Sequence, residues 1–315
     1  MYNEELGAGE FLRQVGGVLD SLDGGPHEIV IVDDGSSDGT LALLHTAAAQ
    51  DPRLVVVSLS RNFGHQAALS AALDHASGDV VIVMDSDLQD SPDAIPAFLD
   101  HYAQGYDVVY AQRIRRKEPW YLRFSYFVFY RLAMRLSNVR LPVDAGDFGL
   151  MSRRVVDEVR RAPERQRYLR GLRSWVGFRQ IGINVERGAR HAGDSKYGPL
   201  KLLRLAFDGI FAFSIVPLRA AAFAGLLAMM TAMVFSIYAV YVRLALHRSP
   251  AGFTAIILIV TFLSGVNLFF LGVIGEYVGR VYEEVKNRPL YIVSSIARSA
   301  AAPDPGPLRV IAPHR

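Results

Sequence analysis

Two stretches near the carboxyl terminus decide what this chain can become. Ala220–Val242 is 23 residues long, Ala251–Gly275 is 25, and neither contains a charged side chain. About 20 apolar residues of helix cross the hydrocarbon of a bilayer, so each run is long enough to span it. Eight residues separate them, which predicts a transmembrane hairpin over 220–275. Lys and Arg set its direction. The connector has only Arg243 and Arg248, whereas Arg190, Lys196, Lys201, Arg204 and Arg219 precede the hairpin and Arg280, Lys286 and Arg288 follow it. Both flanks, and with them both termini, are expected on the cytoplasmic side.

The rest of the 315 residues suffices for one globular domain, and at 51% hydrophobic content the chain is not disordered. The formal charge of +3 reflects basic residues that sit beside apolar segments, a pattern fitting an anionic membrane surface rather than nucleic acid. The chain has no cysteine, which excludes disulfides, thiolate catalysis and Cys-ligated metals. The opening Met1-Tyr-Asn-Glu-Glu-Leu6 is acidic and lacks an apolar core, so it does not read as a signal peptide.

Residues 1–112 alternate helix and strand signals, the pattern of an α/β domain. A helix is expected over Glu10–Leu22 and strands over Glu28–Val32, Leu54–Leu59, Val80–Met84 and Asp107–Ala111, with helices Leu41–Gln50, Gln66–Ala76 and Pro92–Gln104 between them. The run Val80–Met84, apolar without alternation, reads as the central strand of a parallel sheet, covered on both faces. It ends in Asp85-Ser-Asp87-Leu-Gln89-Asp90. Hard oxygen donors at that spacing suit Mg²⁺ or Mn²⁺ carrying a substrate's phosphates. The competing reading is an acidic turn ahead of the helix at Pro92. Asp33-Asp34-Gly-Ser-Ser-Asp-Gly-Thr40 follows the first strand signal as either a nucleotide-recognising loop or a turn with a helix cap. Arg61, in the loop after the second, can hold a diphosphate by paired hydrogen bonds or lie free on the surface. Parallel strands joined by helices point the same way, so three polar loops are expected on one edge. Base, diphosphate and metal contacts together make the layout of a nucleotide-sugar site.

Residues 113–219 change character. Arg113, Arg115, Arg116 and Lys117 precede the aromatic Pro119–Tyr130, which reads as an amphipathic membrane-interface segment. Asp147 stands between glycines at 146 and 149. Tyr168–Phe178 mixes Arg with aromatics at amphipathic spacing. The histidines show no metal-ligand spacing and read as ordinary polar residues. The Ala- and Pro-rich tail from Ala300 is expected to be disordered.

Seven segments share a resemblance: Asp33–Thr40, Ser60–Gln66, Asp85–Asp90, Gly146–Phe148, Arg170-Gly-Leu with Trp175, Ala192–Gly198 and Gly275–Pro289. In that order, across roughly residues 2–293, they resemble the family 2 polyprenyl-phosphate glycosyltransferases, nearest the bactoprenol glucosyltransferase branch and related to dolichyl-phosphate mannose synthase. The resemblance implies a GT-A (Rossmann-like) nucleotide-sugar domain and an inverting transfer of a hexose to a lipid phosphate with a divalent metal. UDP-glucose and undecaprenyl phosphate are the expected donor and acceptor, and a bacterial inner membrane, multi-pass, the expected location. By motif, Asp33, Asp34, Arg61 and Asp85 would serve the nucleotide and its diphosphate, Asp87 and Gln89 the metal. Asp147 would be catalytic, facing the acceptor, and Arg190, Ser195 and Lys196 would hold phosphates. A phosphate monoester is largely dianionic at pH 7 and needs no base. Asp147 is therefore expected to orient the acceptor and to take a proton only from the monoanion below about pH 6.

Two departures stand out. The family has a strand ending in Pro-x-Tyr-Asn-Glu before its first helix, whereas here Met1-Tyr-Asn-Glu enters at the end of that motif. The strand is accordingly expected upstream of Met1. An Arg usual two residues after the motif aspartate is Gly149. The expected domains are 1–112 (nucleotide-sugar core), 113–219 (acceptor-side and interface segment), 220–275 (hairpin) and 276–315 (cytoplasmic tail). The expected partners are a nucleotide sugar, a polyprenyl phosphate, the membrane and, at the level of self-association, a homo-oligomer; nucleic acid is not among them. A processive polysaccharide synthase, which would carry Q-x-x-R-W and more spans, and a non-catalytic membrane scaffold are the alternatives.

Overall fold

A computed structural model describes residues 1–113, 145–165, 167–185, 216–245 and 252–299. The interface segment Pro119–Tyr130, the connector of the hairpin, the tail from Ala300, and Arg190, Ser195 and Lys196 lie outside them. The described chain divides into two units, one built from residues 1–113, 145–185 and 288–299, the other from 216–245 and 252–287.

The first unit begins with α1 (Glu5–Ser21), β1 (Ile29–Asp33), α2 (Thr40–Gln50), β2 (Leu54–Leu59), α3 (His65–His75) and β3 (Val80–Val83). It continues through α4 (Ile95–Ala103), β4 (Val108–Arg113), β5 (Ala145–Ser152), α5 (Arg153–Arg161), α6 (Leu169–Trp175), β6 (Gln180–Val185) and β7 (Val293–Arg298). The alternation read from the sequence is present to within a few residues. The parallel sheet is not: the strands form one sheet in the order β1-β2-β7 and a second in the order β3-β5-β4-β6. β1 runs parallel to β2 and β4 parallel to β6, while β5 is antiparallel to both its neighbours and β7 to β2.

Helix α3 holds the two sheets together. Its Ala68, Ala71 and Ala72 pack with Val32, Val55 and Val57 of the first, while Leu69 and Leu73 pack with Val81, Val83, Val108 and Met151 of the second. Small residues on one helical face and leucines on another let one helix serve both surfaces. The edges of β1 and β3 carry no partner strand among the described residues. Met1 alone lies along β1, where its amino group donates to Val32 O at 2.6 Å and its carbonyl accepts Asp34 N–H at 2.8 Å. That open edge corrects the expectation for β3: Val80–Val83 are half-buried rather than enclosed, whereas all six residues of β2, flanked on both sides, are buried.

Other boundaries shift for similar reasons. β5, α5, α6 and β6 come from the segment assigned to the acceptor side, yet they build the second sheet and its cover. Phe98 of α4 and Phe148 of β5, both fully buried, meet edge to face at 4.8 Å between ring centres in its core. The strand β7 comes from the expected tail and closes the outer edge of β2.

The second unit consists of α7 (Val216–Ala245) and α8 (Phe253–Val285), which pack on one another. α7 contains the run 220–242 and α8 all but the first two residues of the run 251–275, continuing ten residues beyond Gly275. By length and composition, one helix stretch among the described residues is apolar enough to cross a membrane, Phe262–Val285. Large apolar side chains stand exposed along both helices, among them Phe223, Met230 and Tyr241 on α7 and Phe262, Leu268 and Phe269 on α8.

Candidate active site

Antiparallel pairing builds the centre of the site. β3 and β5 pair Val80 with Ser152 and Val83 with Gly149, so the same register two residues on brings Asp85 opposite Asp147. From the first sheet comes His65, the opening residue of α3, released from β2 through a loop that ends at Gly64 with φ +97°. Its Nε2 lies 3.3 Å from Asp147 Oδ2 and 3.8 Å from Asp85 Oδ1. Next to it, Gln66 Oε1 accepts Leu169 N–H at 2.9 Å, which fastens the first turn of α6 to the first turn of α3. That contact presents Arg170 to the aspartate: Nε donates to Asp147 Oδ1 and Nη2 to Oδ2, each at 2.7 Å.

The electrostatics follow from this packing. Burial would raise the pKa of Asp147, but the bonds from Arg170 and His65 hold it well below the usual carboxylate range. His65 moves the other way, raised chiefly by its bond to Asp147. Asp85 is raised, first by burial and further by Asp147 and Asp87 nearby. Gln89 is buried, its N–H donating to Asp87 Oδ1 at 3.1 Å. Between them Leu88 has φ +56°, a strained conformation for a branched residue, and such strain gathers at binding sites.

The donor set fits a divalent cation at Asp85, Asp87 and Gln89, since crowded carboxylates and an amide oxygen are hard ligands whose repulsion a cation relieves. His65, Asp85 and Asp147 also place ligand atoms within 4.8 Å of one another. The Arg170 fork and the His65 contact already use the Asp147 oxygens, however, and a guanidinium 2.7 Å away opposes a cation at that carboxylate.

The residues expected to serve the nucleotide differ in their engagement with the fold. Asp33 ends β1, is buried, and leaves Oδ1 without a hydrogen-bond partner among the described residues. Asp34 instead accepts Phe63 N–H at 2.7 Å and Gly64 N–H at 2.9 Å, tying its loop to the one before α3. The two loops approach so closely that a Cβ on Gly35 would lie 2.6 Å from the Arg61 carbonyl carbon. Arg61 itself is exposed, with its guanidinium 4.1 Å over the Phe63 ring. Asp38 accepts Thr40 N–H at 3.0 Å, so part of this loop does serve the start of α2.

Sequence reasoning took His65 for an ordinary polar residue, which the geometry corrects, and it gave no role to Arg170 or Arg173. Arg170 opens the quoted Arg170-Gly-Leu motif and Arg173 directly follows it, but their acceptors, the Asp147 carboxylate for Arg170 and the Gly146 carbonyl for Arg173, are distant in sequence and reached only through the fold.

Residues 1–160 match the family described as glycosyl transferase family 2. A Bacillus subtilis protein named uncharacterized glycosyltransferase YkcC is 41% identical over 294 residues, covering 93% of this chain and 91% of its own. The SfII prophage-derived bactoprenol glucosyl transferase of Shigella flexneri is 40% identical over 272 residues, 86% of this chain and 88% of its own. Among solved structures, glucosyl-3-phosphoglycerate synthase of Mycobacterium tuberculosis, in complex with Mn²⁺, UDP-glucose and phosphoglyceric acid, has a TM-score of 0.44 at 20% identity, covering 67% of this chain and 75% of that one.

Proposed function

Because the chain belongs to glycosyl transferase family 2 and is a glycosyltransferase of the GT-A fold, we propose that it transfers a hexose from UDP-glucose to undecaprenyl phosphate at the cytoplasmic face of a bacterial inner membrane. The observation that carries this reading is the meeting of Asp85, His65 and the Arg170-clamped Asp147 beside Asp87 and Gln89. The named Shigella relative supports the choice of lipid.

In this reading Asp33 and Arg61 hold the nucleotide, and Asp34 braces the loop between them. Asp87 and Gln89, with Asp85 beside them, would hold Mg²⁺ or Mn²⁺, which when bound stabilises the negative charge on the departing diphosphate. An acceptor phosphate oxygen attacks the sugar C1 on the face opposite the leaving group, and the C1–O bond breaks with its electron pair going to UDP, which inverts C1. The dianionic acceptor has no proton to surrender. The low basicity of Asp147 fits that chemistry: it orients, through Arg170 and His65, and does not abstract. Arg190, Ser195 and Lys196 complete the phosphate contacts in this proposal.

The two uncharged runs anchor the enzyme as a hairpin with both termini cytoplasmic, which keeps the site beside a lipid that cannot leave the bilayer. Membranes holding the protein, incubated with labelled UDP-glucose, UDP-GlcNAc or GDP-mannose plus undecaprenyl phosphate, test the proposal. Label is expected in the lipid from UDP-glucose, and no lipid label from any of the three overturns it.

A further inference from the structure

One buried cation has no place in the mechanism above. Arg173 is 4% exposed, and a guanidinium in a poorly solvating interior is costly unless carboxylates or several acceptors surround it. Its hydrogen bond among the described residues runs from Nη2 to the Gly146 carbonyl at 3.1 Å. Its Nε is buried without a partner among them. The carboxylate next in the chain, Asp147, has both oxygens on Arg170. Burial brings the pKa of Arg173 down to about 10, which leaves it charged at neutral pH.

The sheet is shaped to hold this group. Tyr110 on β4 pairs in register with Gly149 on β5 and with Gly182 on β6. A Cβ on Gly182 would meet Tyr110 Cε2 at 2.7 Å, and one on Gly149 would meet Tyr110 Cα at 3.0 Å. Glycine at 182 therefore leaves room for the Tyr110 ring, whose centre lies 5.2 Å from the Arg173 guanidinium carbon, within the range of a cation–π contact. Gly182, a tyrosine ring and a carbonyl thus hold a positive charge to which, among the described residues, no carboxylate hydrogen-bonds. Holding the Gly146 carbonyl needs only a neutral donor.

We propose that Arg173 is a positioning residue that fixes the backbone at Gly146–Asp147 and holds a positive charge behind Asp147, fitting the site to a phosphate monoester. Asp147 bonds Arg170 on both oxygens and reaches Arg173 only through space. This deepens the reading of the site as a sugar-to-lipid-phosphate transferase and rests on it.

The test compares full-length wild type, Arg173→Lys and Arg173→Gln in detergent. At saturating nucleotide sugar, the KM for undecaprenyl phosphate is expected to rise about 10- to 100-fold in Arg173→Gln, the scale of a lost charged contact, with a smaller change in kcat. Arg173→Lys keeps the charge but loses the planar guanidinium over the Tyr110 ring, and is expected to raise KM by less than about tenfold and by less than Arg173→Gln. Inhibition by inorganic phosphate separates the headgroup from its lipid: the inhibition constant must rise in Arg173→Gln in parallel with KM. A Gln variant with wild-type KM, or equal losses in Gln and Lys at unchanged thermal stability, overturns the proposal. Should Arg173→Gln not fold, the Lys variant alone decides, because a tenfold KM defect with the charge retained also overturns it. A wild-type protein that transfers no sugar refutes the reading of the reaction instead, and calorimetric binding of inorganic phosphate to the three proteins then judges Arg173 separately.

Discussion

Arg170 grips Asp147 through two parallel hydrogen bonds of 2.7 Å, one to each carboxylate oxygen. A carboxylate so held is a weak base, and a phosphate monoanion with a pKa of about 6 does not yield a proton to it readily. The sequence led to a different expectation, in which Asp147 matters most below pH 6. With the fork in place, Asp147→Asn is expected to lower turnover about 10²-fold, the scale of a misplaced reactant, and by the same factor across pH 5.5 to 8.5. Turnover of both forms over that range decides, and a defect that deepens as pH falls restores Asp147 as a base.

Asp107 offers a pH-dependent contribution to stability away from the site. Nearly buried at the start of β4, it accepts Arg154 Nε and Nη2 at 2.5 Å and Ser152 Oγ at 3.0 Å. The Arg154 bonds hold its pKa below the ordinary value. A depressed carboxylate stabilises the fold above its unfolded pKa of about 3.9, and that contribution disappears as pH falls through the folded pKa. Asp107→Asn should therefore lower the melting temperature by a constant amount from pH 8 to pH 5, with the gap to wild type closing below about pH 4. Thermal unfolding across this range tests it, and a gap that widens in acid contradicts the sign.

Gly149 cannot accept a side chain cheaply. A Cβ there would meet Val109 O at 2.5 Å, and both the strand and its neighbour are fixed by the ladder. Gly149→Ala is expected to cost about 1–3 kcal/mol, as overpacking does, visible in chemical denaturation. The arginine usual at this place in the family has no room on this backbone. An alanine variant as stable as the wild type refutes the packing account.

For the metal, turnover is expected to vanish in excess EDTA and return with Mg²⁺ or Mn²⁺. Asp87→Asn should nearly abolish turnover while the protein still inserts into membranes. Activity undiminished by the chelator contradicts the assignment of Asp87 and Gln89.

A reporter fused after Arg315 tests the topology. Lys and Arg favour the cytoplasm, so an alkaline phosphatase fusion should be silent and a cytoplasmic reporter active. An active phosphatase places the carboxyl terminus on the other side.

Local signals carried far into this fold. Valine runs, helix stops and the Asp85–Asp90 loop were legible because each is decided by neighbours in sequence. Strand direction was not, since β5 enters the sheet from a segment without strand–helix alternation and runs against both β3 and β4. For the same reason the pairing of Asp147 with Arg170 and His65 stayed hidden: it follows from a ladder register and one Gln66–Leu169 hydrogen bond, neither of which has a periodic signature. The open edge of β3 also escaped, because an apolar run looks the same whether one neighbour or two lie beside it.

β7 has a consequence for biosynthesis. β2 emerges from the ribosome early, yet the strand that closes its outer edge, Val293–Arg298, follows α8 in the chain. Until both long apolar helices have been synthesised, Val55–Leu59 presents an unpaired row of backbone donors and acceptors, the surface on which strands of other chains can add. Completion of the first sheet is thereby coupled to delivery of the apolar helices. A nascent chain stalled before Val293 should be more prone to self-association than the finished one.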